Sequence, residues 1–281
     1  MNAVEAVVRP GWDAGLKLLF QRRGERCVLA KRSSFGPLAV QKSLHPEGDR
    51  VCHAILLHPP GGIAGGDRLR IDIEIDSGAH ALLTTPGATR WYRTLGAQAS
   101  QTVDIVIGTG AVCEWMPQEN IFFNAARADN TLNIRLGQGA AFCGWDILCL
   151  GRTASGERFG SGRVRQHLRV SREAGPVFEE LGLIEGGSAV LDSPAGMAGY
   201  PVCGTFLVAG VAPGRDAMEY CRGVAPQGDC KFGVSAMGDL FVARCLARSG
   251  EVARNYFLQM WQRLRPDYAR VPGKVPRIWA T

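Results

Sequence analysis

Leu69, Ile71, Ile73 and Ile75 alternate with Arg70, Asp72, Glu74 and Asp76. A period of two puts the aliphatic side chains on one face and the charges on the other, as in a strand buried on one side. Comparable short apolar segments recur along the first two thirds of the chain: LKLLFQ, RCVLAKR, LAVQKSL, VCHAILLH, LRIDIEID, HALLTT, SQTVDIVI, AVCEWM, LNIRLG, AFCGWDILCL and VRQHLRV. They follow one another about every ten residues, with turn residues between them. This spacing predicts an all-β layered, barrel or stacked architecture. No true sequence repeat is found, so the pattern alone does not demonstrate a solenoid of identical coils.

Helical periodicity comes late. Residues 213–222 read as a short helix. Across 239–264, Val252, Tyr256, Met260 and Leu264 lie four apart, with Ala253, Phe257 and Trp261 beside them, which is one apolar stripe. Gly250 is expected to split this segment into two helices capped by Asp239 and Ser249. The tail RVPGKVPRIWAT, with two prolines, is expected to be extended. No long linker divides the chain. The expectation is one domain over residues 1–281, mainly β with a small helical part: two helices in the C-terminal half.

Composition narrows the function classes. A net charge of +6 with scattered arginines gives no basic patch of the kind nucleic acid requires. No apolar run approaches the length of a membrane span, and the start of the chain lacks the pattern of a signal peptide. Nine cysteines, odd in number and without a CxxC, read as free thiols in a reducing cytoplasm rather than a zinc site or a disulfide framework.

Residues 58–72, HPPGGIAGGDRLRID, invite comparison with phosphate-binding loops. A dinucleotide fingerprint leads into a helix, but here LRIDIEID follows and reads as strand. Pro59 and Pro60 remove two backbone donors, and no GK[ST] triplet occurs. The glycines fit a tight strand-to-strand connection. Asp67, which closes the loop, either caps its own turn or points inward. The threonines of TTPGATRWYR fit a bend where they satisfy backbone groups, and Glu119 is expected to be solvated.

Asp146 sits in AAFCGWDILCLGR, among the most apolar runs of the chain. A carboxylate buried alone costs several kcal/mol, so it must be paired, protonated or facing water, and Arg152 is a candidate partner. Glu179 and Glu180 are adjacent in a strand-like run, so one of them faces inward. Asp67, Asp146 and Glu180 could serve a β-rich carbohydrate-active hydrolase as its carboxylate pair. No Gly-x-Ser-x-Gly and no HExxH occurs. His53 and His58 are candidate metal ligands, although a lone histidine more often plays a structural part.

PGGIAGGDRL, LLTTPGATRWYR, EWMPQENIFF, WDILCLGRTASGE and the terminal PRIWAT resemble, in order, the urease accessory protein UreD family. The resemblance runs from about residue 50 to the last residue. It implies a superhelical stack of β-strands with two helices. It also implies a non-catalytic scaffold that binds apo-urease and UreF, engages the GTPase UreG through UreF, and helps deliver Ni²⁺ to the urease site. An internal polar channel has been proposed for the family, and the resemblance places Asp67, Thr89, Asp146 and Glu180 along it. Stable cofactors are not implied, and Ni²⁺ is expected only in transit. Gly144 stands where the family can carry an acid, so this channel is expected to have one carboxylate fewer.

Overall fold

The computed structural model describes residues 11–280. In chain order the elements are β1 (Asp13–Arg23), β2 (Arg26–Phe35), β3 (Ala39–Val40), β4 (Cys52–Leu57), β5 (Gly62–Ile63), β6 (Arg68–Ile75) and β7 (His80–Thr84). There follow β8 (Thr89–Trp91), β9 (Ala99–Ile107), β10 (Val112–Met116), β11 (Asn120–Phe122), β12 (Arg127–Leu136) and β13 (Ala141–Leu150). The remainder comprises β14 (Arg163–Arg172), β15 (Gly175–Glu185), β16 (Val202–Ala209), α1 (Arg215–Gly223), β17 (Cys230–Met237), β18 (Leu240–Ala247) and α2 (Gly250–Ala269).

The strands wind into a β-solenoid of about four turns. One sheet has the order β15-β14-β12-β9-β6-β1-β2, and the other runs β17-β18-β16-β13-β10-β7-β4-β3. Short strands β5, β8 and β11 turn the corner between them. Successive coils stack in parallel: Ile71 faces Val103, Val103 faces Leu132, and Leu132 faces Leu168. Ile73, Ile105, Ile134 and Val170 form the next aliphatic row in the same registers. These rows fill the inside of the coil, while Asp72, Asp104, Asn133 and Arg169 stack on the outside. Arg70 reaches both Asp72 (2.9 Å) and Asp104 (2.7 Å), which relieves the repulsion of two stacked carboxylates.

The coils do share a repeated corner. Ser77-Gly78-Ala79, Thr109-Gly110-Ala111 and Gln138-Gly139-Ala140 each connect a strand of the first sheet to one of the second. The three central glycines have φ of 70, 64 and 63°, a left-handed turn that L side chains resist. The Gly78 N–H donates to Thr109 O and the Gly110 N–H to Gln138 O, so each corner is bonded to the next. Three residues per coil are too few to stand out from the sequence without the register.

AFCGWDILCL is apolar almost throughout because β13 is covered on both faces. Phe142, Leu148 and Leu150 join the inner core, while Cys143, Trp145 and Ile147 face a second core under α2. Helix α2 begins at Ser249, whose hydroxyl accepts the Val252 N–H, as expected of that cap. The helix expected to start at Asp239 does not form. Residues 240–247 are instead β18, paired with β16 and β17, and Asp239 lies in the hairpin turn next to Gly238. Alternating Phe241, Ala243, Cys245 and Ala247 are buried on one face, a period-two signal masked by the stronger helical stripe that follows. The tail is extended as far as Pro276 and ends in a short 3-10 turn, Arg277–Ala280, where Trp279 packs against Trp145 and Trp261.

What fixes α2 to the solenoid is a buried ion cluster. Glu114, fully buried on β10, accepts from Trp261 Nε1 (2.8 Å), Tyr268 OH (2.6 Å) and Arg265 Nε and Nη2 (3.0 and 2.8 Å), and contacts His80 Nε2 at 2.9 Å. Burial by itself would raise the Glu114 pKa. The His80 contact and the Arg265 charge outweigh it and hold the carboxyl well below its ordinary range. Arg265 also grips Glu47, which contacts His53 Nε2 at 2.6 Å. His53 is thus a hydrogen-bonded structural residue. Arg265→Ala should cost about 3–5 kcal/mol in urea unfolding, because it strands two carboxylates. A loss under about 1 kcal/mol would show that the cluster does not hold the helix.

Candidate functional site

One corner of the coil interior carries a short run of polar side chains among apolar neighbours. On the first sheet, Leu69, Gln101, Asn130, Gln166 and Gly182 occupy one inward-facing row. On the facing wall, Thr89 pairs with Asn120 at the short strands, Asn120 pairs with Leu148, and Asp146 pairs with Thr205. Because the register is held from coil to coil, isolated polar residues far apart in the sequence become a line running along the solenoid axis.

Asp146 is at the centre of this line, 6% exposed. Asn120 Nδ2 donates to Oδ1 at 3.0 Å, and Asn130 Nδ2 (3.4 Å) and Gln166 Nε2 donate to Oδ2. Asn120 in turn accepts from Trp91 Nε1 at 3.0 Å, and Asn130 accepts from Gln101 Nε2 at 3.3 Å. Arg152, the expected partner, instead binds Glu157 through Nη2 at 2.7 Å. The carboxylate is therefore satisfied by amides, with no counter-charge in contact among the described residues. Burial pushes its pKa up to about 6, opposed by the Asn120 hydrogen bond and reinforced by the negative charge of Glu180.

Two cavities meet at Asp146. The first, about 60 Å³, is lined on its polar side by His58, Thr85, Thr89, Gln101, Asn120, Asn130 and Asp146. By its volume it has room for a few waters. The second, about 380 Å³, is lined by Asp146, Gln166, Glu180, Thr205, Lys231 and Arg244, among others. It lies between the final strands of the two sheets, β15 and β17. Glu180 faces inward there. Its carboxylate meets Arg244 Nη1 at 2.9 Å and accepts from Thr205 Oγ1 at 3.2 Å. Glu179 faces outward to His167. Cys203 and Cys245 also line this cavity, but burial pushes both thiols up to about 12, so they are neutral.

Thr89 lines the first cavity, Glu180 the second and Asp146 both. Asp67 is not among the residues lining either cavity. Its Oδ1 accepts the Trp12 N–H and its Oδ2 the Ala64 N–H, both at 2.8 Å, so it braces its own loop against the start of β1. Of the three carboxylates suggested for a hydrolase, Asp146 and Glu180 both line the second cavity and Asp67 does not join them. Gly144 lies on the same face of β13 as Asp146. A Cβ there would come within 2.6 Å of Trp115 O and 2.7 Å of the Phe142 ring, so an acid would have to displace them. Glu119 is not freely solvated: its side chain is 12% exposed and lies 3.4 Å from Arg254 Nη1. Thr84 and Thr85 do satisfy backbone groups, Thr84 Oγ1 donating to Met116 O and Thr85 Oγ1 accepting the Gln118 N–H. Among the described residues, no group of three or more His, Cys, Asp and Glu is arranged to hold a metal ion, and no helix is long and apolar enough to cross a membrane.

The sequence pattern of the UreD urease accessory protein family matches residues 13–280. A urease accessory protein UreD from Dechloromonas aromatica (strain RCB) is 48% identical over 275 residues, covering 97% of this chain and 96% of the relative. One from Azoarcus sp. (strain BH72) is 45% identical over 286 residues, covering 100% of each. One from Methylobacillus flagellatus is 44% identical over 270 residues, covering 96% of this chain and 95% of the relative.

The elevated pKa of Asp146 has a measurable sign. The folded chain holds this proton more tightly than an ordinary aspartate at 3.8, so the group's contribution is intact below about pH 4 and is lost as pH rises through about 6. An asparagine side chain at this position cannot ionise. The stability of Asp146→Asn relative to the parent should therefore rise by roughly 3 kcal/mol between about pH 4 and pH 7.5, and a flat difference would contradict a buried, raised carboxyl. Asp67→Leu loses two hydrogen bonds to a charged acceptor and should be destabilised by about 2–3 kcal/mol in the same assay. Parent-like stability would mean that the brace is dispensable.

Proposed function

This chain belongs to the UreD family of urease accessory proteins, and we propose that it serves urease maturation as a non-catalytic scaffold that conducts Ni²⁺ through its interior. In this reading it binds apo-urease and UreF, engages UreG through UreF, and works in the cytoplasm, where nine free cysteines stay reduced. The single observation that carries the conducting role is that Asp146 lines both interior cavities, with Thr89 on one side of it and Glu180 on the other.

The donor set suits passage rather than capture. Ni²⁺ accepts nitrogen and oxygen ligands, and movement along a path needs contacts that exchange. Amides, hydroxyls and one carboxylate at a time provide such contacts. Thiolates would retain the ion, and the cysteines beside the path are held neutral by burial. Asp146 supplies the negative charge where the two cavities meet, and at neutral pH it is mostly ionised. Glu180, tied to Arg244 at the wider end, offers a second carboxylate whose partner can swing aside. Asp67 contributes as the brace of the loop that carries His58 to the first cavity.

Asp146→Leu leaves the Asn120, Asn130 and Gln166 amides without their acceptor and should lose stability. The fraction that stays folded by circular dichroism should still be pulled down by UreF and impair urease activation with nickel supplied. Activation at the parent rate and to the parent extent would rule out the interior route.

A further inference from the structure

The chain has five histidines, and four have an evident structural partner. His45 Nε2 lies 2.7 Å from Cys27 O, His53 Nε2 is 2.6 Å from Glu47, His80 Nε2 is 2.9 Å from Glu114, and His167 Nε2 is 2.9 Å from Glu179. His58 differs. Both of its ring nitrogens are buried, and among the described residues neither has a hydrogen-bond partner. It lines the first cavity together with Thr85, Thr89, Asn120 and Asp146. A buried imidazole with both nitrogens unsatisfied calls for something else in the cavity to meet it.

The placement follows from the coil geometry. His58 directly follows β4, as Thr85 follows β7 and Pro117 follows β10, and all three line the cavity at the turn from the second sheet into the short strands. It is the first coil's contribution to the polar line. Its backbone is fixed by a tight turn in which His58 O accepts the Gly61 N–H at 2.9 Å. Burial lowers its pKa, opposed by the negative charge of Asp67, and a neutral imidazole offers one nitrogen lone pair to a ligand.

We propose that His58 is a binding stop for a divalent transition-metal cation at the first-coil end of the interior line, ligating through a ring nitrogen while water and the cavity's hydroxyl and amide oxygens complete the coordination. The proposal rests on the conducting role given above and adds to it a nitrogen donor. Imidazole suits nickel, and a single nitrogen with weak oxygens holds the ion loosely enough to release it towards Asp146. The carboxylate of Asp67 steadies the approach of a cation by its field, without ligating it.

The test uses the full chain with labelled histidine, titrated with NiCl₂ and followed by the ring resonances. His58, assigned by the signal lost in His58→Phe, should broaden at lower nickel than the half-buried His45 and His167. Urease activation at limiting nickel should slow about tenfold in His58→Phe and less in His58→Asn, with the deficit shrinking as nickel is raised. If the His58 resonances stay sharp while the others broaden, and His58→Phe activates like the parent, the ring is merely solvated and the stop is wrong. The conducting role would still stand if Asp146→Leu blocked activation in the same series. Normal activation by Asp146→Leu would instead remove the role on which the stop rests.

Discussion

A carboxylate cannot be enclosed between two sheets unless the surrounding structure provides for its charge, and the interior of this solenoid is organised around that requirement at Asp146. No cation touches it among the described residues. Three amides, from Asn120, Asn130 and Gln166, reach it from three different strands. Each amide is brought there by the register of the stacked coils, so a slip of one residue in any coil would turn its amide to the opposite face. The carboxylate and the register therefore support each other. Amides also leave the charge uncancelled, which a neighbouring arginine would not. The result is an interior point of negative charge with space on both sides.

The two faces of the second sheet divide the molecule's tasks. Inward, the even-numbered residues of β13 join the core of the coil, with Asp146 and Leu148 at the cavities. Outward, the odd-numbered ones meet α2, which is locked by the Glu114–Arg265 cluster. A buried ion pair adds little net stability over hydrocarbon, but a wrongly docked helix would leave its charges unpaired. That penalty places the helix accurately against β10, β13 and β16. The wall carrying Asp146 is thereby held from behind, and its cavities remain open in front.

Much of this is readable from the chain. The alternation in LRIDIEID identifies β6 and its faces, and the strand spacing points to an all-β layered, barrel or stacked architecture without choosing among them. Asp146 stands out because a charge in a run apolar on both faces must be buried. Glu114 in AVCEWM obeys the same logic, but a five-residue strand is a weaker setting, and the sequence alone does not single it out. Its partner Arg265 looks like an ordinary polar edge of the helical stripe. Arg152 suits Asp146 by proximity in sequence, yet the chain turns through Gly151 and delivers it to Glu157. Asn120, Asn130 and Gln166 carry no signal of their own. Amides are equally at home on a surface, and only the coil register shows that they converge. Asp67 reads from the sequence as either an inward or a turn-capping residue, and its backbone bonds make it the latter.

Anomalous diffraction at the nickel edge, from crystals of the full chain soaked in Ni²⁺, addresses the interior route most directly. Nickel signal is expected between the two sheets, in the cavities on either side of Asp146. Nickel bound only to outer-surface side chains, with the space beside Asp146 empty of it, would contradict the interior route.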